Sequence, residues 1–132
     1  MKRPVLLLLV WCSLGLSYLF STNVRASLWA SAMLTTTPDT WVGRLLPTGS
    51  MEPTLNEKDW LIYRRVDFAE VRAGDVISFH CPLDGVPVTH RVVRRLECGR
   101  LVTRGDNNPV VDPWTVSSDD FRGVLIAVYA ES

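Results

Sequence analysis

The sequence predicts a mainly β domain, compact and mostly antiparallel, behind an N-terminal transmembrane helix. Three observations lead there. The chain has 132 residues, enough for one modest core and too few for two. From Pro4 to Val24 it runs 21 residues without a Lys, Arg, Asp or Glu. Beyond residue 40 it breaks into short β-branched and aromatic runs separated by Gly, Pro, Asp and Asn, with weak helical periodicity throughout.

The first element is residues 1–25. A helix of 21 residues is about 30 Å long at 1.5 Å per residue, roughly the hydrocarbon thickness of a bilayer. Leu6 to Leu9, Val10, Trp11, Leu14, Leu16, Leu19 and Phe20 make it apolar on every side, unlike a surface helix of a soluble domain. An uncleaved signal anchor fits its length. A cleaved secretory signal is the alternative, with Val24-Arg25-Ala26 or Ala30-Ser31-Ala32 as the small-residue cleavage pattern. Lys2 and Arg3 would stay in the cytoplasm, so either reading sends the rest of the chain to the extracytoplasmic side.

Residues 26–40 read as a juxtamembrane linker that ends in a Thr/Pro/Asp cluster. Residues 41–132 form the folded domain. Strands are expected over Trp60 to Arg64, Asp75 to His80, Val86 to Leu96, Leu101 to Arg104 and Val124 to Tyr129. The last of these is strand-length, so no second membrane span is expected there.

Composition excludes several classes of function. Fourteen basic residues balance fourteen acidic ones, which gives no electrostatic case for nucleic acid. There is no CxxC and no Cys/His pair at ligand spacing, so neither a metal nor another cofactor is expected. Cys12 lies in the apolar run. Cys81 and Cys98 would face an oxidising compartment, where a disulfide and two free buried thiols are both open readings.

The chemistry concentrates in three segments. In Pro47-Thr48-Gly49-Ser50-Met51-Glu52-Pro53-Thr54 a serine follows a flexible glycine between two prolines, a loop able to present a hydroxyl. A serine hydroxyl is inert without a base. The chain has two lysines: Lys2 lies across the membrane, and Lys58 sits in the polar turn Asn56-Glu57-Lys58-Asp59. That leaves two histidines. His90 sits inside the β-branched run Val88-Thr89-His90-Arg91-Val92-Val93, and His80 ends the preceding strand. The third segment is Arg104-Gly105-Asp106-Asn107-Asn108-Pro109-Val110-Val111-Asp112. Each segment alone reads equally as turn or core.

Their order, however, resembles the type I signal peptidases, membrane-anchored serine proteases of the secretory route, over roughly residues 42–130. Gly49-Ser50-Met51-Glu52-Pro53-Thr54 is similar to the nucleophile box of that family. Gly74-Asp75-Val76-Ile77-Ser78-Phe79 and Thr103-Arg104-Gly105-Asp106-Asn107-Asn108 resemble two further boxes. His90-Arg91-Val92 resembles the base box of the histidine-containing subclass, found in eukaryotic microsomal, archaeal and sporulation-type enzymes.

The resemblance implies a signal-peptidase-like β fold in which Ser50 is the nucleophile and His90 the general base. Asp112 would be the orienting acid, with Asp106 as the rival. The Thr48 hydroxyl and the Ser50 backbone N–H would form the oxyanion hole. A histidine base implies activity that falls below roughly pH 6.5. Implied partners are the lipid bilayer and membrane-tethered pre-proteins with small residues one and three positions before the cut, with accessory subunits left open. Pilin or conjugation-protein maturation, or a non-catalytic membrane-tethered β module, are the alternatives. The chain departs from the family at Pro113-Trp114, where an Arg or a second Asp is common, and it has no room for a large accessory β domain.

Overall fold

The computed structural model describes residues 38–130. The expected anchor over 1–25 and the linker up to residue 37 lie outside the described residues. No helix among the described residues is long and apolar enough to cross a membrane.

Six strands form one sheet: β1 (Thr40–Gly43), β2 (Trp60–Arg64), β3 (Val76–His80), β4 (Pro87–Arg95), β5 (Leu101–Arg104) and β6 (Phe121–Tyr129). Their order across the sheet is β1-β2-β6-β3-β4-β5, and every neighbouring pair is antiparallel. One 3-10 turn, Phe68–Glu70, is capped by the Asp67 carboxylate, which accepts from the Ala69 N–H at 2.9 Å. The mainly β expectation holds for this region.

Strands β2 and β5 have the bounds read from the sequence, and β3 and β4 are shorter by one residue per mismatched end. Asp75 stays outside β3 because its carboxylate closes the preceding turn, accepting from the Arg72 N–H at 2.8 Å. Strand β6 begins three residues earlier than expected, at Phe121. Arg122 and Gly123 hide it in the sequence, yet Gly123 pairs with Ser78. Strand β1 was not expected, and it starts at Thr40, the last residue assigned to the linker. Thr40 closes the Thr/Pro/Asp cluster and Gly43 ends the run, so only Trp41 and Val42 carry an apolar signal. The strand is held by pairing with β2 and by Trp41 stacking on Tyr63 at 5.4 Å.

Successive side chains along a strand point to opposite faces, and β3 uses both. Ile77 and Phe79 enter one apolar cluster with Val71, Val92, Leu101, Val116 and Phe121. Val76 enters a second, with Met51, Leu55, Leu61 and Tyr63. Each fully buried Leu, Ile or Phe contributes about 1.5–3 kcal/mol relative to exposure. Because Ile77 lies opposite His90 in the β3–β4 register, the imidazole falls on the face of Ile77 and Phe79, and Arg91 falls on the other. The rings of Phe79 and His90 meet edge-on at 6.4 Å.

Among the described residues, Cys81 and Cys98 are unbridged. Cys81 is buried, whereas Cys98 is exposed in the β4–β5 turn, so neither a disulfide nor a pair of buried thiols describes them.

Candidate active site

The Ser50 loop is built from a glycine and a methionine. Gly49 has φ of 68°, a left-handed conformation that side chains disfavour, and it turns the chain so that the next residue faces the cleft. Met51 points inward into the second apolar cluster and is 1% exposed. Between them Ser50 is fixed by its own backbone: its carbonyl accepts from the Asn107 N–H at 2.8 Å. Asn107 Nδ2 donates to the Gly49 carbonyl at 3.1 Å, and the Asp106 N–H donates to Met51 Sδ at 3.4 Å. The segment after β5 therefore holds the serine loop from beneath.

Strand β4 brings the imidazole to this loop. Ser50 Oγ lies 3.1 Å from His90 Nε2, and His90 Nδ1 lies 2.7 Å from Asp112 Oδ2. His90 and Asp112 are both buried. A carboxylate can only accept, so these partners assign the ring proton to Nδ1 and leave the Nε2 lone pair for the Ser50 hydroxyl to donate to. Asp112 is fixed twice by Thr103. Its N–H donates to the Thr103 carbonyl at 2.8 Å, and the Thr103 hydroxyl donates to Oδ2 at 2.6 Å.

Thr48 lies on the other side of the serine. Its hydroxyl donates to Ser50 Oγ at 3.2 Å and accepts a long 3.4 Å bond from the Ser50 N–H. Asp106 is turned away from the imidazole and committed to Arg91. Arg91 Nε donates to Oδ1 at 2.8 Å and Nη2 to Oδ2 at 2.7 Å, while Nη1 donates to the Gly74 carbonyl at 2.8 Å. The Arg91 fork holds the Asp106 carboxyl below the ordinary carboxylate range, with a smaller contribution from Thr54.

The other candidate bases stand elsewhere. Lys58 is exposed in the turn before β2. His80 ends β3, and its Nδ1 accepts from Arg122 Nη2 at 3.0 Å. Among the described residues no group of three His, Cys, Asp or Glu side chains converges as metal ligands would.

Two residues of the site have a part that sequence reasoning did not give them. Thr103 looked like one more β-branched strand residue, and only its register opposite Val92 aims it at Asp112. Gly105 read as turn chemistry, but the reason for it is space. A Cβ there would lie 2.6 Å from the Ser50 carbonyl oxygen, 2.8 Å from Asn108 Nδ2 and 3.0 Å from His90 Nε2.

A cleft of about 220 Å³ opens beside the Ser50 hydroxyl, walled by Leu45, Leu46, Val86, Val88 and Trp114. It reaches both Ser50 and His90. The arrangement places a hydroxyl, a base and an oriented carboxylate in one line at the end of an apolar groove, which suits acyl transfer on a peptide. Trp114 packs against the first apolar cluster, and Trp60 lies under the Arg44 guanidinium at 4.0 Å.

A family model described as signal peptidase, peptidase S26, matches residues 19–95, more than half of the chain. The signal peptidase complex catalytic subunit SEC11 of Metarhizium robertsii is 36% identical over 69 residues, covering 49% of this chain and 40% of its own length. SEC11 of Colletotrichum graminicola is 33% identical over 76 residues, covering 54% and 44%. The sec11 subunit of Neurospora crassa is 35% identical over 65 residues, covering 46% and 38%. The matched stretch spans about two-fifths of the length of these curated relatives.

Proposed function

This chain belongs to the signal peptidase family, peptidase S26, and from that premise we propose that it is a membrane-anchored serine endopeptidase that removes signal peptides from exported pre-proteins. The observation that carries the reading is the unbroken line from Ser50 Oγ through His90 to Asp112, with heavy-atom separations of 3.1 and 2.7 Å.

In this mechanism Ser50 Oγ attacks the scissile carbonyl as His90 Nε2 takes its proton. Asp112 steadies the resulting imidazolium and keeps the ring in its productive tautomer. The carbonyl oxygen gains negative charge and settles between the Ser50 N–H and the Thr48 hydroxyl. The 3.4 Å bond between those two groups is long and therefore cheap to exchange for bonds to the oxyanion. When the C–N bond breaks, the His90 proton passes to the leaving amine. Water then repeats the cycle, giving its proton to His90 and its oxygen to the acyl carbon, which frees Ser50. Asp106 buttresses the site through Arg91, and Asp112 is the acid.

Side chains of an extended peptide alternate in direction, so residues one and three before the cut point the same way. One groove beside Ser50 can take both, and small residues suit its volume. The anchor over residues 1–25 holds the site on the extracytoplasmic side, where tethered pre-proteins present a bond near the headgroups. The relatives are named as subunits of a signal peptidase complex, and by that likeness this chain works beside accessory subunits. An enzyme is favoured over a non-catalytic module because a binding surface has no need of a serine, an imidazole and a buried carboxylate in line.

The test is a detergent-solubilised precursor bearing an Ala-x-Ala site, with the product sequenced by mass spectrometry. Wild type should cut once after the second Ala, and Ser50→Ala should not. Equal cutting by Ser50→Ala would overturn the reading.

A further inference from the structure

Trp114 stands two residues after Asp112 and forms one wall of the groove that Ser50 and His90 share. Its other side packs against the apolar cluster around Ile77, Phe79 and Val116. Two other wall residues are softer, since Leu46 and Val86 are 52% and 41% exposed. The indole Nε1 is buried and has no hydrogen-bond partner among the described residues. Leaving a buried donor unpaired costs free energy, so the ring is held there by shape and not by a polar contact. A wall backed by a packed core cannot yield to a larger neighbour without strain in that core.

We propose that Trp114 is the specificity-determining residue of this groove, setting the upper size of the side chain that enters beside Ser50. The inference rests on the peptidase reading above. The groove, at about 220 Å³, lies below the roughly 300–1,000 Å³ of sites that take whole small molecules. Leu46 and Val86 can turn outward when a bulky residue arrives. Trp114 is backed by the first cluster, as is Val88, and it is the larger of the two, so the ring sets most of the limit. Each methylene beyond that limit is refused by a packing clash, and a single methylene commonly separates substrates about 10–200-fold.

The experiment measures kcat/KM on precursors carrying Ala, Val or Leu immediately before the cut, for wild type, Trp114→Phe, Trp114→Leu and Trp114→Ala. The readout is the Ala-to-Leu ratio within each protein, so a general loss of rate cancels. The ratio should fall in order from wild type through Phe and Leu to Ala, by about tenfold or more at the end of the series. Trp114→Phe keeps an aromatic ring against the cluster but is smaller than the indole, so it widens the groove and carries the test even where Trp114→Ala does not fold. Ratios that stay together across the folded variants, or a wild type that cleaves Leu as well as Ala, would overturn the inference. A wild type that cleaves none of the three precursors would instead defeat the peptidase reading itself.

Discussion

The Thr103 hydroxyl donates to Asp112 Oδ2 at 2.6 Å, on the same oxygen that faces His90 Nδ1 at 2.7 Å. One oxygen thus receives a hydroxyl and an imidazole, and the carboxylate plane is set by a threonine that is fully buried. Hydrogen bonds to charged groups are worth about 1.5–3 kcal/mol, and 1.36 kcal/mol in a barrier is tenfold in rate. Thr103→Val should therefore lower kcat about tenfold or more with KM nearly unchanged. Thr103→Ser, which keeps the hydroxyl, should recover most of it. Steady-state kinetics of the two variants decide whether Thr103 positions the acid or only fills the core.

Gly105 carries no side chain because Ser50, Asn108 and His90 leave no room for one. Gly105→Ala would press a Cβ to 2.6 Å from a backbone oxygen, which cannot rotate aside. Overpacking of this kind costs about 1–3 kcal/mol. The same shift moves the nucleophile against its base, where a misplacement of about 1 Å can cost on the order of 100-fold in rate. A thermal melt and a cleavage assay on the one variant should show both losses. Unchanged activity would mean that the loop has slack.

Asp106 and Arg91 tie the segment after β5 to β4, and this sets an acid limit. The Asp106 carboxyl is held below its ordinary value of 3.8 by the Arg91 hydrogen bonds. A depressed folded-state value means that the pair adds stability above pH 3.8 and loses it as pH falls through the lower, folded value. Asp106→Asn should lower the midpoint of chemical unfolding at pH 7 and narrow its gap to wild type at acid pH. A gap independent of pH would assign the loss to packing.

The cysteines give a chemical check on the fold. Cys98, exposed in the β4–β5 turn, should react with a thiol reagent in the native protein, while Cys81 should react only on unfolding. Addition of reductant should leave the melting temperature of the protein unchanged. A slow Cys81 and a fast Cys98 fit this arrangement, and protection of both would point to a bridge.

How much of this was legible in the sequence follows from how local each signal is. Strands β2 and β5 were readable because apolar, aromatic or β-branched residues fill each up to a terminal arginine. Strand β1 was not, since Thr40 and Gly43 read as turn residues around only two apolar ones and the strand depends on Trp41 finding Tyr63. The far reach of β6 was hidden by Gly123, whose place opposite Ser78 is a matter of sheet register. At the site, the shortage of lysines left two histidines open, and the family resemblance singled out Ser50 and His90. The choice between Asp112 and Asp106 could not be made from spacing, because it depends on which face of β4 each carboxylate meets: His90 turns to one and Arg91 to the other. Thr103 and Gly105 act through a contact across strands and through an absence of volume, and neither leaves a local mark.

The central claim is that Ser50 and His90 act as one device. A double-mutant cycle on a single precursor tests it most directly: kcat for wild type, Ser50→Ala, His90→Ala and the double variant. Each single change should lower kcat by something on the order of 10⁴- to 10⁶-fold, and the double variant should lose no more than the worse single one. Losses that multiply in the double variant, or a single variant that keeps wild-type turnover, would contradict it.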